Sequence, residues 1–284
     1  MAHFKQSTKN IPILMYHSIS QSTAFTDPRF KAYCVPPALF AAQVDYLYHN
    51  GYTLLNVTQL IHILTGKAPL PERPVVLTFD DGYADFYYHA LPSLSRYHLT
   101  ATLYIATGFV GKTSLWVRWK RETGHPILTW DQIAEISHSG IECGAHTQNH
   151  ANLAAVPLSM ARNEIRLSKD LLEQHLGLEV TSFAYPHGSY TSAVRRLVKE
   201  AGFTSACAGN HAMCSDKADH FLLERLMVTP SMDMSAFHDL LTQERYSQLR
   251  KMYIRARIPV KHTISHFMTS VSRFYRDIRG YDFR

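Results

Sequence analysis

Cysteine is scarce in this chain of 284 residues, and its four copies, Cys34, Cys143, Cys207 and Cys214, lie far apart. They form neither a CxxC pair nor a dense framework, so a disulfide-stapled scaffold does not explain the fold. They read as free thiols in a reducing compartment. Cys143 falls inside an apolar stretch, where a buried thiol is commoner than a ligand. Also lacking is any run of the roughly 18 to 20 apolar residues that a membrane-crossing helix needs. Met1 to Asn10 is polar, without the apolar centre of an export signal. The location expected from these absences is cytoplasmic, or peripheral at the inner membrane face. No internal repeat or low-complexity segment occurs, which excludes solenoid and fibrous arrangements.

What is present is the composition of an ordinary soluble globular protein, with 46% hydrophobic and 18% charged residues. The formal charge of +6 is not shared evenly. Residues 250–284 carry nine Lys or Arg against Asp277 and Asp282, so the preceding chain is close to neutral. A basic tail on a near-neutral body argues against a nucleic-acid-binding protein. The expected division is a catalytic domain over 1–245 and a basic helical C-terminal extension over 246–284.

Short apolar runs rich in β-branched and aromatic residues predict strands at Ile11 to Tyr16, Val75 to Phe79, Thr100 to Ala106, Ile141 to Ala145, Ser182 to Tyr185 and Ser205 to Ala208. Helical spacing fills the gaps: Leu39, Val44 and Leu47 after Pro36-Pro37; Leu60, Ile61 and Leu64 before Gly66; then Phe86 to Tyr97, Asp131 to Ser139, Ser159 to Leu176, and Ser192 to Ala201 closed by Gly202. Strands alternating with helices predict an α/β fold with parallel pairing, as a barrel or an open sheet. In either, the loops at strand C-termini build the site.

Three such loops carry chemistry. Thr78-Phe79-Asp80-Asp81-Gly82-Tyr83 puts two adjacent carboxylates before a glycine that permits a sharp turn, so one can bind a metal while the other handles a proton. Alone, Asp-Asp-Gly is as readily an ordinary turn. Gly144-Ala145-His146-Thr147-Gln148-Asn149-His150 follows another strand and offers two imidazoles four residues apart. Two His with one carboxylate leave an open position on a zinc ion for water. Tyr185-Pro186-His187-Gly188 forms a third strand-end turn, able to aim a backbone N–H at a developing oxyanion or to serve as a plain connection.

In this combination the chain resembles the polysaccharide deacetylases of the NodB homology type, carbohydrate esterase family 4, over roughly Ile11 to Leu241. Ile13-Leu14-Met15-Tyr16-His17-Ser18 and the Ala-Tyr-Pro-x-Gly turn look most like the branch that deacetylates poly-N-acetylglucosamine exopolysaccharides. The resemblance implies a distorted parallel (β/α) barrel and a divalent metal held by Asp81, His146 and His150, most often Zn2+, with Co2+, Ni2+ or Mn2+ as alternatives. It implies Asp80 as general base toward the attacking water, the backbone N–H of His187 on the oxyanion, and Tyr185, Pro186 and Gly188 at the substrate. The implied substrate is an N-acetylhexosamine unit of a polysaccharide, oligosaccharide or glycolipid.

The chain departs from the family pattern in four places, one of them His187, which stands where a tyrosine or phenylalanine is usual and whose backbone N–H can still serve. The late Leu-x-His motif that supplies the general acid is replaced by Leu226-Met227-Val228-Thr229, which leaves His17 as the substitute, or as a buried structural histidine. Ala184 stands where an arginine usually pairs with the catalytic base, and Arg225 is the candidate to supply that charge from a neighbouring strand end. No Asp-x-x-Asp-Trp motif is present. Tyr83, Tyr185, Tyr190, Trp116, Trp119 and Trp130 are candidate sugar-stacking rings, most of them expected in the core. Two other readings stay open: hydrolysis of a different amide on the same scaffold, and a non-catalytic carbohydrate-binding protein. In the tail, Ile264, Phe267, Met268, Val271, Phe274 and Tyr275 follow helical spacing. Such a stripe packs across the barrel, or rests on anionic lipid beside its basic residues.

Overall fold

The computed structural model describes residues 10–21, 28–116, 124–209 and 212–242. Its centre is an eight-stranded parallel sheet. The strands are β1 (Ile13–Tyr16), β2 (Thr53–Leu55), β3 (Pro74–Phe79), β4 (Thr102–Ile105), β5 (Glu142–Ala145), β6 (Ser182–Ala184), β7 (Ser205–Cys207) and β8 (Leu226–Met227). Their order is β7-β6-β5-β4-β3-β1-β8, and β2 pairs with the start of β3 on the side where β4 pairs with its end. All six predicted strands are present, some of them shortened at their ends. The two that were not predicted, β2 and β8, are too short to show a pattern.

Apart from a single turn at Pro28–Lys31, the α-helices are α1 (Pro37–His49), α2 (Val57–Leu64), α3 (Leu91–Ser95) after a π-helical turn at Phe86–Ala90, α4 (Trp130–His138), α5 (Leu158–Leu176), α6 (Ser192–Glu200) and α7 (Met234–Thr242). Local chemistry sets their ends. Asn56 with Gln59 and Thr129 with Gln132 form capping boxes at α2 and α4, and Gly177 ends α5 in the left-handed conformation that a side chain resists.

Strand side chains alternate between two apolar layers. Leu14, Tyr16, Leu77, Phe79, Leu103, Ile105, Phe183 and Tyr185 face the helices, where they meet Phe40, Val44, Ile133, Ile165 and Val194. Phe79 packs against Tyr16, Phe40 and Phe86 with ring centroids 4.8–5.6 Å apart, so Phe79→Ala costs about 3–5 kcal/mol. The residues between point inward, and Ile13, Val76, Tyr104, Ala184, Cys207 and Leu223 form a second layer with Val57, Leu60 and Ile61 of α2. The N-terminus of α2 sits against the strand starts: the Val57 N–H donates to Thr102 Oγ1 and the Thr58 hydroxyl to Glu142. Gly144 must lack a side chain, because a Cβ there would lie 2.6 Å from the Tyr104 ring.

The sheet curls until one segment touches both its edges. Leu223 exchanges hydrogen bonds with Ala206 and Ala208 beside β7, and three residues on, β8 pairs with β1. This is the distorted parallel barrel of the NodB type that the sequence predicts. The basic extension 246–284, with its apolar stripe, lies outside the described residues. Among those described, no helix is long and apolar enough to cross a membrane.

Candidate active site

Parity places the catalytic candidates. Asp80 is two residues beyond Thr78 and four beyond Val76, so it continues the inward row of β3, and His146 continues that of β5. Both are buried. The backbone then turns abruptly: Asp81, Thr147, His150 and His187 all have φ between 52° and 78°, a region side chains avoid. Four of the five non-glycine residues with such φ among those described belong to these three loops. Strain gathered at one end of a barrel is a mark of a functional site.

Asp81 Oδ1 lies 3.1 Å from His150 Nε2 and 3.5 Å from His146 Nε2. It is buried and, among the described residues, meets neither imidazole in a well-formed hydrogen bond, so the three groups converge without fully satisfying one another. One donor atom from each lies within 4.8 Å of the others. Tetrahedral ligands with bonds of about 2.0–2.1 Å stand roughly 3.3 Å apart, and the observed separations bracket that value. His146 Nδ1 lies 2.9 Å from the Ala184 carbonyl, which only accepts, so Nδ1 carries the proton and Nε2 keeps its lone pair for a cation. The donor set therefore fits a divalent metal. Cys143 does not join it: the thiol lies on the helix-facing layer with Ala145, and burial raises its pKa to about 12.

Burial alone would raise the pKa of both carboxyls, and in both the neighbours prevail. Arg225, buried at 1% exposure, grips Asp80 through two parallel bonds of 2.7 and 2.8 Å. With help from His146, it holds the Asp80 carboxyl below its ordinary range. The close approach of His150 and His146 holds Asp81 well below that range. Arg225 also donates to Thr78 Oγ1 of β3 and to the Ala208 carbonyl just after β7, and these bonds fix its orientation.

His17, just past β1, is within electrostatic reach of Asp81, Asp80, Arg225 and His146. Burial holds its pKa below the ordinary imidazole value, Asp81 and Asp80 opposing. Its ring stands edge to face with Tyr33 at 4.7 Å. Desolvation and the neighbouring His150, whose ring is 4.8 Å away, lower His187 to about 4, so that imidazole is neutral at pH 7. Trp116 stacks on His150 at 5.0 Å, which places one predicted aromatic at the candidate metal-binding group.

The structure corrects other expectations. Tyr185, expected at the substrate, is fully buried and donates its hydroxyl to the Phe221 carbonyl, because it shares the helix-facing parity of Phe183. Pro186 is buried beneath the same turn. Only His187 and Gly188 of that motif face outward, and Gly188 is required there because a Cβ would meet the Gly209 backbone at 2.9 Å. Tyr83 is core, Tyr190 packs on Tyr185, and Trp130 stacks on His175; Trp119 lies outside the described residues.

Two carboxylates were not foreseen. Glu164 of α5 holds the His146–His150 loop, and Asp85 accepts from the Ser18 hydroxyl and the Ile19 N–H just beyond His17. The one signal for Glu164 is an acid within the buried face Ala161, Ile165, Ser168 and Leu172 of α5. No pattern announces Asp85.

A family model described as polysaccharide deacetylase matches residues 67–206. A Bacillus subtilis (strain 168) protein named for the polysaccharide deacetylases, YxkH, is 30% identical over 228 residues, spanning 80% of this chain and 74% of that protein. The poly-beta-1,6-N-acetyl-D-glucosamine N-deacetylase of Staphylococcus epidermidis is 22% identical over 233 residues, spanning 76% of this chain and 78% of that one. Among solved structures, the Streptococcus pyogenes deacetylase PplD in complex with acetate superposes with a TM-score of 0.71 at 26% identity, covering 83% of this chain and 99% of that one. The chain belongs to the polysaccharide deacetylase family, the NodB-type hydrolytic carbohydrate deacetylases.

Proposed function

We propose that this chain hydrolyses the N-acetyl groups of N-acetylhexosamine units in a polysaccharide, oligosaccharide or glycolipid, with a divalent metal, most often zinc, at Asp81, His146 and His150. The observation that carries the reading is the Arg225-paired Asp80 next to a three-ligand set: sugar binding alone has no use for a proton acceptor held ionised beside a cation site. The Staphylococcus epidermidis relative, named for this reaction on poly-β-1,6-N-acetylglucosamine, supports the substrate class.

Asp81, His146 and His150 would hold the cation, which would supply Lewis acidity toward the acetamide carbonyl and the attacking water. Asp80 accepts the proton of that water, and its pairing with Arg225 keeps it ionised to do so. The backbone N–H of His187 faces the developing oxyanion. His17 donates a proton to the leaving amine, which departs poorly without one. The basic extension 246–284 serves, in this proposal, to keep the barrel near an anionic membrane surface.

The test is acetate release from N-acetylglucosamine oligomers in the presence of Zn2+ or Co2+, with Asp80→Asn as the control. Release that depends on metal and on Asp80 supports the reading. Metal binding without release from any N-acetyl sugar would transfer the chemistry to another amide, and sugar binding without turnover would make the protein a lectin on this scaffold.

A further inference from the structure

Glu164 projects from α5 to the loop that carries both proposed imidazole ligands. It is 4% exposed, and its two carboxylate oxygens accept from the Asn149 N–H and the Asn149 side-chain amide, each at 2.7 Å. Its own carbonyl accepts from the Gln148 N–H at 3.1 Å. From the turn after β4, the N–H groups of Thr107 and Gly108 donate to the Thr147 and Gln148 carbonyls at 3.2 and 2.7 Å. A side chain at Gly108 would collide with the Gln148 carbonyl at 2.7 Å and with Asn149 Oδ1 at 2.9 Å. Residues 147–149, between His146 and His150, are thus held by two separate elements, α5 and the turn after β4.

The clamp has strain to hold. Thr147 and His150 both lie in the left-handed region, at φ 62° and 52°. Such backbone conformations are strained for residues with a side chain and persist only where their surroundings over-determine them. A carboxylate taken out of water is itself costly unless fully hydrogen-bonded. Retaining Glu164 here makes sense where its bonds fix a geometry that an apolar residue could not.

We infer that Glu164 is a positioning residue for the metal centre: through Asn149 it holds the strained loop so that His146 and His150 present their Nε2 atoms to one cation. Glu164 does not touch the metal or the substrate. The inference rests on the metal reading above, with Asp81, His146 and His150 as ligands. Partners that orient ligands in this way typically govern metal affinity by roughly 10- to 100-fold.

The test uses the full chain stripped with a chelator and titrated calorimetrically with Zn2+ alone, together with thermal melts of the metal-free proteins. Glu164→Gln preserves volume but turns one acceptor into a donor facing the Asn149 amide. It is expected to weaken Zn2+ binding roughly 10- to 100-fold. Adding Asn149→Asp to Glu164→Gln reverses the donor and acceptor while conserving net charge, and is expected to recover most of the lost affinity. Wild-type Zn2+ affinity in Glu164→Gln, even with a lowered metal-free melting temperature, would reduce the residue to scaffolding and overturn the inference. Failure of the paired exchange to restore affinity, with the fold intact, would also overturn it. Failure of the wild-type chain to bind Zn2+ or Co2+ would show itself before any variant is made, and would remove the metal reading too.

Discussion

Arg225 and Asp80 are 145 residues apart in the chain and meet through two parallel charge-assisted hydrogen bonds, both side chains buried. The family's usual arginine position is occupied by Ala184, whose side chain lies in the inner apolar layer, and the cation arrives instead from the segment that closes the barrel. The same guanidinium binds Thr78 and the Ala208 carbonyl, so the pair is both an electrostatic setting for the proposed base and a bolt across the barrel seam.

Removing one half of a buried pair leaves the other charge unsatisfied, at a cost of about 3–5 kcal/mol. Arg225→Met is therefore expected to lower the melting temperature sharply. It should also move the acidic limb of kcat/KM toward higher pH. Arg225 now holds the Asp80 carboxyl below its ordinary range, so that contribution to stability is present above the ordinary range and is lost as pH falls through the depressed value. Without the cation, burial acts unopposed by its strongest partner and the carboxyl titrates higher. A pH–rate profile beside thermal melts checks both; an unmoved acidic limb would remove Asp80 as the base.

Asp80→Asn keeps shape but cannot accept a proton. A loss of kcat of about 10²- to 10⁴-fold is expected, the usual contribution of general acid–base catalysis. Zn2+ affinity should stay within a few-fold of wild type, since Asp80 is not among the three proposed ligands. Calorimetry with single-turnover acetate assays separates the two effects.

His17 is expected to matter according to the leaving group. An amine must be protonated to depart, whereas the phenolate of an activated aryl acetate leaves unaided. His17→Asn should therefore depress hydrolysis of N-acetylglucosamine oligomers by about 10²-fold or more while sparing aryl acetate hydrolysis. Equal losses on both substrates would assign His17 a structural role.

Asp85 anchors the turn after His17, accepting from Ser18 Oγ at 2.5 Å and from the Ile19 N–H at 3.1 Å. Burial is the largest influence on its carboxyl and raises it from 3.8 to about 6. Between those values the folded chain holds more protons at this site than the unfolded chain. Stability from Asp85 is thus fully present below 3.8 and is lost as pH rises through about 6. Asp85→Asn, which cannot ionise, should gain on wild type across that interval in denaturant melts. A stability difference that does not change with pH would contradict the assignment.

The strands, the long helices and the two central motifs were readable in the sequence because each is a local pattern. Val75 to Phe79 is an apolar run ended by Asp-Asp-Gly, and the His146 to His150 spacing needs no distant information. Side-chain parity was readable as well, since alternation is a property of any strand. Applied strictly, it would have sent Tyr185 to the helices with Phe183 rather than to the substrate.

What the sequence determined by itself was the family, the fold class and the identity of the groups able to bind a cation and accept a proton. Tertiary structure decided which groups meet. The Arg225–Asp80 pair, the grip of Glu164 on Asn149, the Asp85 anchor beside His17 and the stacking of Trp116 on His150 all join separate elements. Such contacts follow from the curl of the sheet and the seating of helices on it, and no local periodicity encodes them. The left-handed conformations of Asp81, Thr147, His150 and His187 belong to the same class, because only the packed surroundings keep backbone there.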